Sequence, residues 1–255
     1  MESVLVTGGT GTLGREVVRR LAEGPHEVRV LTRRAEPGGR EPFRRMVGDL
    51  SSGTGLTAAV DGAHTIVHCA TTNGRGDVAA TRRLVDEAGR DGARPHVVYV
   101  SIVGVDRIRL PYYQAKLAAE RVIVESGVPW TILRATQFHD LLASIFAWQR
   151  LSPVTVSVRN FRFQPIDNRD VAARLAELVA AGPAGRAPDI GGPKVVGMDE
   201  LARTYNAARG RRRPVVPLPL FGTVAAQFAA GHNLAPGNAF GTVTFQRFLA
   251  EGGAR

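Results

Sequence analysis

A chain of 255 residues with 44% hydrophobic content can bury a full core and suits one large α/β domain, alone or with a small attached lobe. Its single cysteine, Cys69, excludes an intrachain disulfide, and no Cys/His spacing resembles a zinc finger, so the chain reads as a metal-free protein of the reducing cytoplasm. The formal charge of +10 comes from 31 arginines and 2 lysines scattered along the chain, which describes solvated surface rather than a nucleic-acid footprint, and no basic leader or long apolar run points to a membrane.

From the N-terminus, short β-branched runs alternate with helical stretches through residue 135. Strands are predicted at SVLVT (3–7), EVRVLT (27–32), FRRMVGD (43–49), HTIVHCA (64–70), HVVYVS (96–101) and WTILRA (130–135). Helices between them begin near Thr12, Thr54, Asp77 and Pro111. This order predicts a doubly wound parallel sheet, a Rossmann fold, over residues 1–135. After Ala135 the rhythm changes to an aromatic helical stretch (137–150), a β-like segment and a helix over 167–182. A strand and turn at GRAPDIGGP, a helix at MDELARTYNAA and one or two helices over 221–250, broken by HNLAPGN, complete the chain. Residues 136–255 therefore read as a mainly substrate-facing lobe packed on the core, not an independent domain. Within it, the segment 201–255 holds seven arginines against Glu251 and carries +6 of the net charge; its RGRRRP run (209–214) reads as surface.

The stretch VLVTGGTGTLGREVVRRL sets Gly8, Gly11 and Gly14 directly after a strand and into a helix. That context demands a tight turn and close backbone approach to a pyrophosphate, with helix N-terminal N–H groups favouring its charge. Thr10, Thr12 and Leu13 belong to the same candidate cofactor turn. The second strand ends in Thr32-Arg33-Arg34, where an acidic residue would accept a ribose 2′-hydroxyl. A guanidinium instead holds a phosphate bidentately, so Arg33 and Arg34 point to NADP(H).

TGGTGTLGREVV, GDL (48–50), DGAHTIVHCA, VVYVSIVGVD and AKLAAERVIVESGVPWTILRATQFHD together resemble an atypical short-chain dehydrogenase/reductase of the NmrA-like group, near the isoflavone-reductase-like enzymes, over nearly the whole chain. The resemblance implies that Asp49, with Leu50 beside it, meets the adenine, and that Cys69, Ala70 and Thr71 line the cofactor. It also implies that Ala135, Thr136, Gln137 and Phe138 border the nicotinamide. In short-chain reductases a serine, a tyrosine and a lysine do the chemistry, which maps to Ser101 and to a Tyr-x3-Lys in LPYYQAK. Members of this group often keep the lysine without the tyrosine, and some sense the cofactor without catalysis.

On a wheel of about 100° per residue, Ala115, Ala118, Ala119, Val122 and Ile123 form a buried stripe with Tyr112 on its margin and Lys116 one step further round. Tyr113 falls on the more exposed side. This spacing favours Tyr112 as the acid, and the resemblance implies that Lys116 lowers its pKa and holds the ribose; the alternatives are that Tyr112 is a packed aromatic and Lys116 a partner of Glu120. His139 either supplies a proton or caps and packs its helix. Phe138, Phe146, Trp148, Phe161 and Phe163 either line an apolar pocket or pack as core. The resulting expectation is an NADPH-dependent reductase of a carbonyl or conjugated double bond in a small apolar or aromatic molecule. Two alternatives stand beside it, a non-catalytic NADP(H)-sensing regulator and a nucleotide-sugar epimerase or dehydratase. Only a small-molecule partner is expected, with no nucleic acid or membrane, and the oligomeric state is open.

Overall fold

The computed structural model describes residues 2–34, 41–72, 74, 76–92 and 94–253. The chain divides into two units: Met1–Ser101, Pro111–Leu133 and Val171–Ala187 form the first, and Ile102–Leu110, Arg134–Asp170 and Pro188–Arg255 the second.

In chain order the first stretch gives β1 (Glu2–Thr7), α1 (Thr12–Ala22), β2 (His26–Thr32), β3 (Arg44–Val47), α2 (Leu56–Val60), β4 (Thr65–His68), α3 (Gly76–Ala88), β5 (His96–Ile102), α4 (Pro111–Glu125) and β6 (Trp130–Ala135). Then follow α5 (His139–Ala147), β7 (Thr155–Val158), β8 (Arg162–Phe163), α6 (Asn168–Ala181), β9 (Gly185–Arg186), β10 (Val196–Gly197), α7 (Met198–Ala208), β11 (Val215–Leu218), α8 (Thr223–Ala229) and α9 (Phe245–Ala250).

The main sheet is parallel and has seven strands in the order β3-β2-β1-β4-β5-β6-β9. Strand order reverses between β1 and β4, so their C-terminal ends make the switch point at which open α/β sheets bind ligands. On one face Leu5, Ile66, Val97, Tyr99 and Ile132 pack with Leu56 of α2, Leu84 of α3 and Ile123 of α4. Each fully buried aliphatic side chain there contributes about 1.5–3 kcal/mol, enough collectively to hold a rigid sheet edge. Val17, Val18 and Leu21 of α1 bury the apolar side of the helix that follows the glycine turn.

The predicted boundary at residue 135 differs from the observed division. Residues 171–187 belong to the first unit because β9 pairs parallel with β6, Thr131 beside Gly185, and so extends the sheet. Two residues of strand carry too little periodicity to announce this. In the other direction, the loop Ile102–Leu110 belongs to the second unit.

Within the second unit β7 pairs with β11 and β8 with β10. Phe146 lies against Tyr205, and Phe161, Phe163 and Phe228 form an aromatic cluster. The aromatic side chains thus serve mainly as core rather than as a pocket lining, while Trp148 is 79% exposed. Arg213 is not free surface: its guanidinium donates to the carbonyls of Gln149, at 2.9 Å, and Arg150. No helix among the described residues is long and apolar enough to cross a membrane, and no cluster of three metal-ligating side chains occurs among them.

Candidate functional site

The glycine turn is built by close approach. Gly8 has φ 69°, and a Cβ there would lie 2.7 Å from the backbone N and Cα of Ala70, in the loop after β4. Both the left-handed backbone and the contact require glycine. At Gly14 a Cβ would stand 2.7 Å from the Cα of Gly9 and collide with the carbonyl of Gly8, so the first turn of α1 seats directly on the preceding loop. Gly11 donates its N–H to the Gly8 carbonyl at 2.9 Å and is the N-cap of α1 without a side-chain cap. The N–H groups of Thr12, Leu13 and Gly14 in the first turn are therefore not capped by a side chain, beside the exposed Thr10 and Thr12. A cradle that a Cβ would fill, at the switch point and at a helix N-terminus, fits a dinucleotide pyrophosphate.

Around this turn the other candidates of the first unit take their places. Arg33 and Arg34 follow β2 and are exposed, with the Arg34 N–H donating to Thr32 Oγ1 at 3.3 Å. Asp49 Oδ1 accepts the Ser51 N–H at 2.8 Å, which shapes the turn holding Leu50. Cys69, Ala70 and Thr71 run out from β4. Burial pushes the Cys69 thiol up to about 12, so it is an inert neutral group.

Lys116 is 4% exposed. Its Nζ donates to Tyr99 Oη and to the Val100 carbonyl, both at 3.0 Å, and sits 4.4 Å from the centre of the Tyr99 ring. Burial pulls its ammonium down to about 8, against the opposing charge of Asp77 and smaller effects of Cys69 and Glu120. The reading of Lys116 as a surface partner of Glu120 does not hold: Glu120 is also buried and accepts from Arg186 at 3.0 Å. Ser101, at the C-terminal end of β5, is buried with its Oγ unpartnered among the described residues.

The wheel reading of α4 needs correction. Its buried side runs from Val122 through Ala119, Ile123, Lys116 and Glu120 to Tyr113, and Ala118 lies at a half-buried edge. Two charged residues are inside the stripe, so apolar identity alone placed the stripe about one position away from where it lies, and Tyr113 is buried rather than exposed. Tyr112 is half-buried, edge-on to Tyr113, and its phenol hydrogen-bonds with Thr71. Burial and then Asp77 raise its pKa above the ordinary tyrosine value, partly offset by Thr71. Tyr112 is thus a neutral phenol fit to give a proton, not a tyrosine brought toward ionisation by Lys116.

Three members of this cluster escape sequence reasoning: Asp77, Tyr99 and His68. Asp77 accepts from Thr71 and Thr72, and His68 stacks on Tyr99 at 5.3 Å while bonding Thr7 Oγ1 at 2.7 Å and Thr81 Oγ1 at 3.1 Å. Burial and the Lys116 charge hold His68 neutral, down to about 3. The available signals were the alternation that puts Tyr99 and Ser101 on one face of β5 and the acidic residue opening α3.

The remaining candidates lie in the second unit. His139 is fully buried between Phe245 and Phe248, with Nε2–H donating to the Val243 carbonyl at 2.9 Å. It packs its helix, and the proton-donor alternative falls away. Thr136 Oγ1 donates to the Gln164 carbonyl at 2.5 Å, Gln137 Oε1 accepts from Asn233 at 3.4 Å, and Ala135 and Phe138 bridge to Ile190 and Ile166. A part for these four in cofactor binding is carried by the resemblance alone.

Comparison with known proteins matches residues 8–181 to an NAD(P)H-binding family model. The chain is 30% identical over 221 residues to the (4-alkanoyl-5-oxo-2,5-dihydrofuran-3-yl)methyl phosphate reductase of Streptomyces griseus, covering 82% of this chain and 74% of that one. It is 26% identical over 234 residues to the photosystem II assembly factor Ycf39 of Trieres chinensis, covering 86% and 73%. Among solved structures, the NADPH-dependent quinone oxidoreductase QOR2 of Escherichia coli, complexed with NADPH, superposes with a TM-score of 0.84 at 16% identity, covering 97% of this chain and 99% of that one.

Proposed function

Because the chain belongs to the NAD(P)H-binding family of atypical short-chain dehydrogenase/reductases, we propose that it is an NADPH-dependent reductase of a carbonyl or conjugated double bond in a small apolar or aromatic molecule. The observation that carries this reading is the buried Lys116 amine, held by Tyr99 Oη and the Val100 carbonyl near the C-terminal end of β5, where Ser101 also lies. Such a lysine is costly to bury and is retained where its charge has work to do. The 30% identical relative from Streptomyces griseus is itself named a reductase, which supports the same reading.

In this reading the turn of Gly8, Thr10, Gly11, Thr12 and Leu13 holds the pyrophosphate, and Arg33 and Arg34 hold the 2′-phosphate. Asp49 and Leu50 border the adenine, and Cys69, Ala70 and Thr71 line the next stretch of cofactor. When bound, the reduced nicotinamide supplies a hydride. Lys116 has two of its three ammonium protons engaged within the protein, which leaves one to donate to a ribose hydroxyl. Tyr112 Oη, neutral and half-buried, gives its proton to the substrate oxygen as negative charge develops there, and Ser101 Oγ orients that oxygen.

The test is kinetic. Removing a general acid costs about 10²- to 10⁴-fold, so Tyr112→Phe lowers kcat by that order with NADPH affinity nearly unchanged, whereas Lys116→Ala damages both. Full activity in Tyr112→Phe would move the proton-donor role to Lys116. Similarity to an assembly factor favours one second reading, a cofactor-binding protein without turnover, which predicts NADPH binding in both variants and no oxidation in any.

A further inference from the structure

Three buried residues stand side by side across the central strands of the sheet: Thr7 on β1 is the register partner of His68 on β4, and His68 of Tyr99 on β5. Register partners at one level of a parallel sheet point to the same face, so the three form one row. The preceding row on that face, Leu5, Ile66 and Val97, is wholly apolar and belongs to the core. At the C-terminal ends of β1 and β4, one residue before Gly8, the face turns polar. His68 is the centre of this last row: its Nδ1 lies 2.7 Å from Thr7 Oγ1, and its Nε2 3.1 Å from Thr81 Oγ1 on α3. The imidazole stacks on the Tyr99 ring, with centroids 5.3 Å and planes 27° apart. Tyr99 in turn receives Lys116 from α4, whose Nζ is 3.0 Å from Tyr99 Oη and 4.4 Å from the ring centre.

We infer that His68 is a positioning residue for Lys116, acting through Tyr99: tethered at both ring nitrogens, it fixes the plane of the phenol on which the ammonium rests. The inference deepens the reductase reading and rests on Lys116 anchoring the cofactor in it. The other bond of Lys116, to the Val100 carbonyl, is set by the main chain of β5, so the Tyr99 side chain is the part of its seat that can turn. Two hydroxyls suit the tethering, since each can donate or accept and together they satisfy a neutral imidazole in either tautomer. A neutral ring is also what the stack requires, because an imidazolium on Tyr99 would repel the ammonium held by the same ring. Burial and the Lys116 charge keep His68 in that neutral form. A further aliphatic row would fill the same space without the cost of burying an imidazole and two hydroxyls, but it would leave Tyr99 without an oriented neighbour.

The chain has two lysines, Lys116 and the exposed Lys194, so protein labelled with carbon-13 at lysine Cε gives two NMR signals that are read without turnover. In the native protein the Cε protons of Lys116 are expected to show cross-relaxation with the Tyr99 ring protons and a chemical shift displaced from that of Lys194 by the ring. In folded His68→Leu both features are expected to be largely lost while Lys194 stays unmoved. NADPH affinity is expected to fall about tenfold or more, the worth of one hydrogen bond from an ammonium. Absence of the Lys116 features in the native protein, or an unmoved Lys116 signal in the folded variant, overturns the inference and leaves His68 as core filling. Should His68→Leu not fold, Thr7→Val and Thr81→Val, which cut one tether each and keep the imidazole, decide by the same signal: a moved Lys116 supports the role, and one unmoved in both overturns it. A moved Lys116 signal with unchanged NADPH affinity, or with no NADPH oxidation by the native protein, sinks the reductase reading and leaves the positioning role standing.

Discussion

Burying Lys116 makes stability depend on pH in a direction that one substitution can isolate. An ordinary lysine titrates at 10.5, and this one is pulled down to about 8. Between those values the unfolded chain binds the proton that the folded chain has released, so stability rises with pH across the window; below 8 both states hold it and the burial cost is carried in full. A difference of roughly 2.5 units at 1.36 kcal/mol each makes that cost about 3 kcal/mol, or about 6–12 °C in melting temperature for a chain of this size. Cys69 opposes the trend, since its thiol, raised from 9 to about 12, keeps a proton that the unfolded chain loses above pH 9. The native curve therefore rises from pH 8 to 9 and then flattens. Lys116→Met removes the ammonium while leaving the Val100 carbonyl without its donor, a loss of about 1 kcal/mol that does not vary with pH. Urea melts at pH 7 to 10.5 are expected to show the variant's stability relative to native falling by about 3 kcal/mol across the range. A difference that stays constant with pH would refute the claim that Lys116 is a strained buried charge.

Gly8→Ala combines a left-handed backbone with a Cβ 2.7 Å from Ala70 main chain, so a loss of about 2–5 kcal/mol and of NADPH binding is expected by calorimetry; native affinity would contradict the cradle. Arg33→Asp is expected to weaken NADPH about tenfold to a hundredfold relative to NADH in parallel titrations, and equal affinities in the native protein would remove the 2′-phosphate role. Arg213→Ser, which strips two carbonyls of their donor, is expected to cost about 1–3 kcal/mol in thermal melts. The exposed Arg212→Ser should stay within about 0.5 kcal/mol.

What the sequence disclosed follows the range of the interactions involved. Strands β1, β2, β5 and β6 and the helix α7 are legible because their periodicity is local, and the glycine turn is legible because strand, turn and helix are contiguous. The face of α4 was misjudged because Lys116 and Glu120 are buried through partners on other elements, Tyr99 and Arg186, which no wheel contains. Asp77 reads as a helix-opening acid because its donors, Thr71 and Thr72, lie in a loop whose course no periodicity discloses. The strand predicted at GRAPDIGGP is found as the two-residue β9, but the assignment of residues 171–187 to the sheet unit depends on its pairing with β6, which follows from topology rather than from the segment's own pattern.

The reductase assignment is tested most directly by single-turnover mixing of the NADPH-loaded protein with a panel of quinones, enones and unsaturated lactones, following loss of NADPH absorbance. The native protein is expected to oxidise NADPH with at least one class, while Lys116→Ala at matched cofactor occupancy does not. Saturable NADPH binding with no oxidation by any acceptor, and no difference between native protein and Lys116→Ala, would contradict it.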